Sequence, residues 1–135
     1  GDARAFSQDT NTMIEKNMRQ LVEGICNSFG VSAEVKYETT CPITFNQPEQ
    51  SDAATKAAIT LLGEDKCNGD IDPRPFSEDF SIMSENTPGC FVLMGNGTSG
   101  SYGRPLHSAD YDFNDELLVK GSSYWVELAE QQLKI

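Results

Sequence analysis

A helix pattern that ends on a glycine and runs straight into an alternating segment constrains this chain more than any other feature. Ile14, Met18, Leu21, Ile25 and Phe29 recur at helical spacing, and Gly30 follows as a left-handed stop. Ahead of them, Thr12-Met13-Ile14-Glu15 has the form of a capping box, in which hydroxyl and carboxylate satisfy free amides reciprocally. Val31, Ala33, Val35 and Tyr37 then alternate with Ser32, Glu34, Lys36 and Glu38, the period of a half-buried strand. Asp2 to Ser7 reads as a short strand in front. The order strand–helix–strand calls for partner strands to complete its sheet, since so few strands are not stable alone.

The pattern breaks between Thr39 and Gln50, where Pro42 and Pro48 mark a crossover between two domains. Beyond it, Ser51 is placed to cap a helix carrying Ala54, Ala57, Ala58, Leu61 and Leu62, with Gly63 at its end. Cys90-Phe91-Val92-Leu93-Met94 is a continuous apolar run of the buried-strand type. Asn114 is placed to cap a last helix, where Leu117, Leu118, Tyr124, Trp125 and Leu128 form a broad apolar stripe. The expected division is 1–45 and 46–135.

Charge and composition exclude several classes. Ten basic residues face 21 acidic ones among 135, for a net charge of -11. Phosphate backbones are repelled by such a surface, so nucleic acid is not an expected partner. No apolar stretch approaches the ~18 residues that a membrane span needs. The chain shows no leader pattern and no initiator Met, and Gly1 reads as a cut end within something longer. Cys26, Cys41, Cys67 and Cys90 have no C-x-x-C pairing, which points to free thiols and a reducing, cytoplasmic setting. With His107 as its one histidine, the chain by itself lacks the three or four N/S ligands of a usual zinc site.

Two motifs fail on their context. Gly95-Asn96-Gly97-Thr98-Ser99-Gly100 matches G-x-G-x-x-G, yet Ser101-Tyr102-Gly103-Arg104-Pro105 follows where a dinucleotide site needs a helix. Asp110-Tyr111-Asp112-Phe113-Asn114 starts like a calcium loop, but Asp115 and Gly121 stand where Gly and a bidentate Glu belong. Asn96-Gly97-Thr98 is also a glycosylation sequon, which matters only in a secreted protein. His107 lies between the glycine-rich loop and an acidic turn, just after a buried-strand pattern, where α/β proteins place chemistry. Asp110 is near enough in sequence to orient its ring. Glu78 and Asp79, between aromatics, suit either a helix N-terminus or a site wall.

Four stretches, in order along nearly the whole chain, resemble the M20 metallopeptidase family in its amidohydrolase branch of hippurate hydrolases, N-acyl-amino-acid amidohydrolases and auxin-conjugate hydrolases. Gly1-Asp2-Ala3-Arg4-Ala5-Phe6 is similar to the family's G-T-V-R-T-F strand, and Ile14 to Gly30 to its following helix. Ser77-Glu78-Asp79-Phe80-Ser81 is similar to its S-E-D-F segment, although Pro75-Phe76 replaces the usual Met-Gly in front. Leu106-His107 with Tyr111-Asp112-Phe113-Asn114-Asp115-Glu116 resembles L-H-x-x-x-Y-D-F-N-D-E, the most specific of the four.

The resemblance implies the C-terminal part of a zinc-peptidase-like α/β catalytic domain, from about residue 46, joined to half of a ferredoxin-like lid in residues 1–45. It implies a homodimer formed through the lid and two divalent metal ions (zinc, manganese or cobalt) in the full enzyme. His107 is then the one metal ligand from this part, and Arg4 meets the carboxylate of an N-acyl amino acid. Glu78, Asp79 and Asp110 are then wall or supporting residues. No catalytic group is expected here, since the general-base glutamate and the other ligands belong to upstream segments. The isolated chain is therefore expected to be metal-free and inactive. The competing expectation is a non-catalytic module that self-associates through open sheet edges or binds a small molecule.

Overall fold

A computed structural model describes residues 1–134. Four α-helices carry the architecture: α1 (Gln8–Phe29), α2 (Pro48–Leu62), α3 (Phe80–Ser84) and α4 (Glu116–Leu133). Short 3-10 turns occupy Glu64–Lys66 and Gly100–Gly103. Among the described residues there is no β-strand, which overturns the α/β expectation. Residues 2–7, 31–38 and 90–94 form no ladder with one another or with any other segment. The physical reason lies in what a strand needs. Its amides and carbonyls must pair laterally, and its apolar face must be covered. Val31, Val92, Leu93 and Met94 are all exposed, so the second condition is not met.

The chain divides into two compact units, one of Gly1–Phe45 with Ile71–Gly89, the other of Asn46–Asp70 with Cys90–Ile135. In the first, α1 begins one turn earlier than the capping box predicts. Ser7 is the cap, its Oγ accepting from the Thr10 amide at 3.2 Å, while Thr12 lies inside the helix and donates to the Gln8 carbonyl at 3.0 Å. The far end agrees with the sequence. Gly30 sits at φ 67°, with its N–H on Asn27 O and the Val31 N–H on Cys26 O, the paired closure of a Schellman motif. The extended segment 31–38 is tied to α1 by polar groups. Arg19 donates to the Val35 carbonyl at 3.0 Å, and the Tyr37 hydroxyl donates to Asn11 Oδ1 at 3.0 Å. No residue of α1 is buried, and Leu21, Ile25 and Phe29 stand exposed, Phe29 at 78%.

In the second unit, α2 packs against α4. Pro48 sits in the first turn of α2, where its missing N–H costs nothing, so the helix starts ahead of the expected Ser51 cap. Small side chains at Ala54 and Ala57 let α4 approach, and Ala57 is fully buried. Tyr124 fills the seam at 5% exposure and directs its hydroxyl to the Ala54 carbonyl at 3.4 Å. Gln131 donates to Thr60 Oγ1 at 3.2 Å near the other end. Asn114 meets α4 from just outside, its Oδ1 accepting from the Glu116 amide at 3.1 Å. No helix of the described residues is long and apolar enough to cross a membrane.

Candidate functional site

The loop from Gly97 to Phe113 in the second unit carries His107. Two successive turns shape its tip. The Ser108 amide and hydroxyl both donate to the Pro105 carbonyl, at 3.1 and 2.7 Å, and the Tyr111 amide donates to the Ser108 carbonyl at 3.1 Å. Arg104 Nε and Asp110 Oδ2 pair at 3.0 Å, one on each side of His107. His107 itself has a φ of 71°. Only Lys134, where α4 ends, shares a positive φ among the described non-glycine residues. The imidazole is exposed and has no hydrogen bond or ion pair among the described residues.

The base of this loop is tied by Asn96. Its Nδ2 donates to the Tyr102 carbonyl at 3.1 Å and to the Asp112 carbonyl at 2.8 Å, and its Oδ1 accepts from the Asn114 amide at 2.9 Å. A Cβ on Gly103 would lie 2.7 Å from the Thr98 carbonyl carbon, so the loop's two limbs pass at a distance only glycine allows. After Gly100 the chain makes one 3-10 turn and no α-helix, so the helix N-terminus of a dinucleotide site is missing from this motif. The sequon is likewise a false lead in this conformation, since the Asn96 amide is committed to two carbonyls.

Of the residues singled out from sequence, His107 and Asp110 fall on this loop, with Asp110 engaged by Arg104. Arg4, Glu78 and Asp79 belong to the first unit. There Arg4 Nε pairs with Asp2 at 2.9 Å, and its Nη1 donates to the Pro75 carbonyl at 2.8 Å, which brings it to the segment bearing Glu78 and Asp79. Asp79 immediately precedes α3 but makes no side-chain cap. The Glu78 carbonyl accepts from the Ser81 hydroxyl at 2.6 Å, and Ser81 is fully buried.

Sequence reasoning missed two asparagines. Asn96 was read only as a member of a glycine motif and a sequon. Asn46 pairs with both backbone groups of Phe91, donating to its carbonyl at 3.0 Å and accepting from its amide at 2.8 Å. A side-chain amide there stands in for a neighbouring strand. The signal for both was an Asn beside a turn or break, a type that readily bonds backbone groups.

All four cysteines are free. Burial pushes the Cys90 thiol up, against a hydrogen bond from Ser51 that pulls it down, so it is a poor nucleophile at neutral pH. No group of three or more His, Cys, Asp or Glu among the described residues is placed to hold a metal ion. His107 with its neighbours does not by itself fit such an ion, which needs several ligands at once.

The profile described as "Peptidase family M20/M25/M40" matches residues 6–131. The chain is 30% identical over 131 residues to hippurate hydrolase of Campylobacter jejuni, covering 97% of this chain and 33% of that protein. It is 32% identical over 130 residues to N-acetylcysteine deacetylase of Bacillus subtilis, covering 96% and 32%. Thermostable carboxypeptidase 2 of Saccharolobus solfataricus is 29% identical over 125 residues, covering 90% and 30%. The chain thus spans about a third of the length of the curated relatives it matches. No solved structure matches it.

Proposed function

Because this chain belongs to peptidase family M20/M25/M40, we propose that it is the C-terminal part of a hydrolase that cleaves the amide bond of N-acyl amino acids. The observation that carries this reading is the match over residues 6–131. Two relatives named for N-acylated amino acids, hippurate and N-acetylcysteine, support the substrate class.

In this reading His107 offers one neutral imidazole nitrogen to a divalent metal, zinc, manganese or cobalt, whose other ligands lie outside this chain. The general base also lies outside it. Arg4 supplies a guanidinium for the substrate's free carboxylate, a pairing that is charge-assisted and favoured over a neutral hydrogen bond. Asp110, through Arg104, steadies the loop that bears His107. Glu78 and Asp79 line the substrate wall with Arg4. The open apolar face of α1 supports a homodimer formed through residues 1–45.

The test uses a polypeptide of the relatives' length that carries this segment. It should hydrolyse hippurate and N-acetylcysteine with added metal, and the isolated chain should not. His107→Ala should lose one metal and most turnover. Arg4→Ala should weaken substrates with a free carboxylate by about 1–3 kcal/mol and barely affect amide-blocked ones. Equal loss on both substrate types assigns Arg4 to structure. Tight stoichiometric metal in the isolated chain, or full activity without His107, overturns the assignment of ligands. A self-associating module without chemistry is the second reading, favoured by the same α1 face. It predicts a stable oligomer, and no hydrolysis in the longer polypeptide.

A further inference from the structure

We propose that Asn96 is the positioning residue for His107: its side-chain amide fastens both limbs of the loop and holds the histidine at the tip in a left-handed backbone conformation. The inference rests on the reading of His107 as a metal ligand for its functional meaning, though not for its geometry.

A primary amide has two N–H donors and one carbonyl acceptor, and Asn96 uses all three across the loop. Both donors go to backbone carbonyls, Tyr102 on the outgoing limb and Asp112 on the returning one, and the acceptor takes the Asn114 amide. Asn114 replies through its own Nδ2 to the Asn96 carbonyl at 3.4 Å. One side chain therefore bridges sequence separations of 6, 16 and 18 residues. Closing a loop of this length carries an entropic cost, which a fastening at its base helps to offset.

The tip bears a further cost. A left-handed residue other than glycine is disfavoured by about 1–2 kcal/mol, roughly five- to thirty-fold in population. His107 at φ 71° bears that cost as the third residue of the turn that the Ser108 amide closes on the Pro105 carbonyl. The turns at Pro105–Ser108 and Ser108–Tyr111 and the Arg104–Asp110 pair shape the tip. All of them lie inside the span that Asn96 closes. Left-handed residues of this kind gather at functional sites, where the surrounding structure over-determines them.

Asn46 provides the control. It bonds the backbone of Phe91, in the same extended segment that leads to Asn96, and its side-chain hydrogen bonds do not reach the 97–113 loop. Asn96→Asp separates the amide's two functions. It keeps an acceptor for the Asn114 amide, loses both donors, and sets a carboxylate against two carbonyl oxygens.

The experiment follows His107 by NMR in the full chain, where it is the one histidine, with Trp125 emission and helical circular dichroism as checks on folding. The unsubstituted chain should show Cα and Hα shifts of a left-handed residue at His107. Asn96→Ala and Asn96→Asp should both move them to extended values, and Asn96→Ala, which also removes the acceptor, should speed Asn114 amide exchange by about tenfold or more. Asn46→Ala should do neither. His107→Gly should raise the folded-to-unfolded ratio about fivefold in the unsubstituted chain, and should give no gain with Asn96→Ala. If Asn96→Ala loses its helical signal, Asn96→Asp and the couplings across the hydrogen bonds from Asn96 Nδ2 to Tyr102 and Asp112 in the unsubstituted chain decide. Extended shifts at His107 in the unsubstituted chain overturn the proposal. So do missing couplings, shifts unmoved in a folded Asn96 variant, or an equal gain from His107→Gly in both backgrounds. Retained metal and turnover after His107→Ala in the longer polypeptide would instead remove His107 from the site and leave this coupling standing.

Discussion

The α2–α4 pair and the long helix α1 share regular apolar spacing, yet only the pair closes a seam. In the pair, Ala54 and Ala57 bring two backbones close enough for one large ring, Tyr124, to fill the gap. In α1 the apolar positions are long, Met18, Leu21, Ile25 and Phe29, and all four are exposed. Residues 31–38 are tied to it by two side-chain hydrogen bonds, Arg19 to Val35 and Tyr37 to Asn11. Periodicity specifies which face of a helix needs cover, whereas cover itself depends on what the rest of the fold brings to that face. A half-exposed segment tied by a few hydrogen bonds gains about 1 kcal/mol from each, while a buried aromatic contributes several.

This contrast is open to attack by substitution, with amide exchange resolved for each unit. The largest effect is expected at Tyr124→Ala, which should cost the α2–α4 unit about 3–5 kcal/mol and speed exchange throughout α2 and α4. Exchange that rises equally in α1 would show that the two units do not fold separately. Ala57→Leu should overpack the same seam, costing about 1–3 kcal/mol in a urea titration. A neutral Ala57→Leu would mean that the seam is looser than the buried alanine indicates. In the first unit, Gly30→Ala should cost about 1–2 kcal/mol, because a Cβ is forced into the left-handed cap, and should fray the last turn of α1 alone.

Alkaline pH should distinguish the units by chemistry. Burial pushes Cys90 up, and burial followed by the neighbouring Cys90 thiolate pushes Tyr124 up. The folded second unit therefore holds these protons more tightly than the unfolded chain does. Its stability is complete below the ordinary values of 9.0 and 10.0 and is lost as pH rises past them toward the folded values. Cys90→Ser should blunt this loss in a series of denaturation curves from pH 7 to 11, and α1 exchange, corrected for its intrinsic rate, should not follow it. Smallest of all, Leu21→Ala or Phe29→Ala in the monomer should stay within about 0.5 kcal/mol. A large loss at either position would reveal cover on the α1 face, and its dependence on protein concentration would identify that cover as a second copy.

The legible parts of the sequence were those set by local chemistry. Gly30 and Gly63 end their helices where the spacing placed them, whereas the cap of α4 is Asp115, one residue past the expected Asn114, which bonds the Glu116 amide from outside the helix. Helix starts were displaced because an earlier residue could already begin each helix, by a side-chain cap in α1 and by a proline needing no N–H partner in α2. Ser7 won over Thr12, and Pro48 began α2 ahead of Ser51. The candidate site was legible only as residue types. His107 was conspicuous as the one histidine, but its left-handed backbone and the Asn96 fastening had no counterpart in a motif.

By itself, then, the sequence determined the helix faces, the glycine stops, the free thiols, the acidic surface and the family. These depend on residue type and short spacing, which act over one or two turns of chain. Tertiary structure decided whether an alternating segment becomes a strand, and here it left 31–38 and 90–94 unladdered. It also decided that Asn46 and Asn96 serve backbone groups 6 to 45 residues away. Such pairings reflect which partners the folded chain brings within hydrogen-bond reach, and a strand or a side-chain amide has no stable state until one arrives.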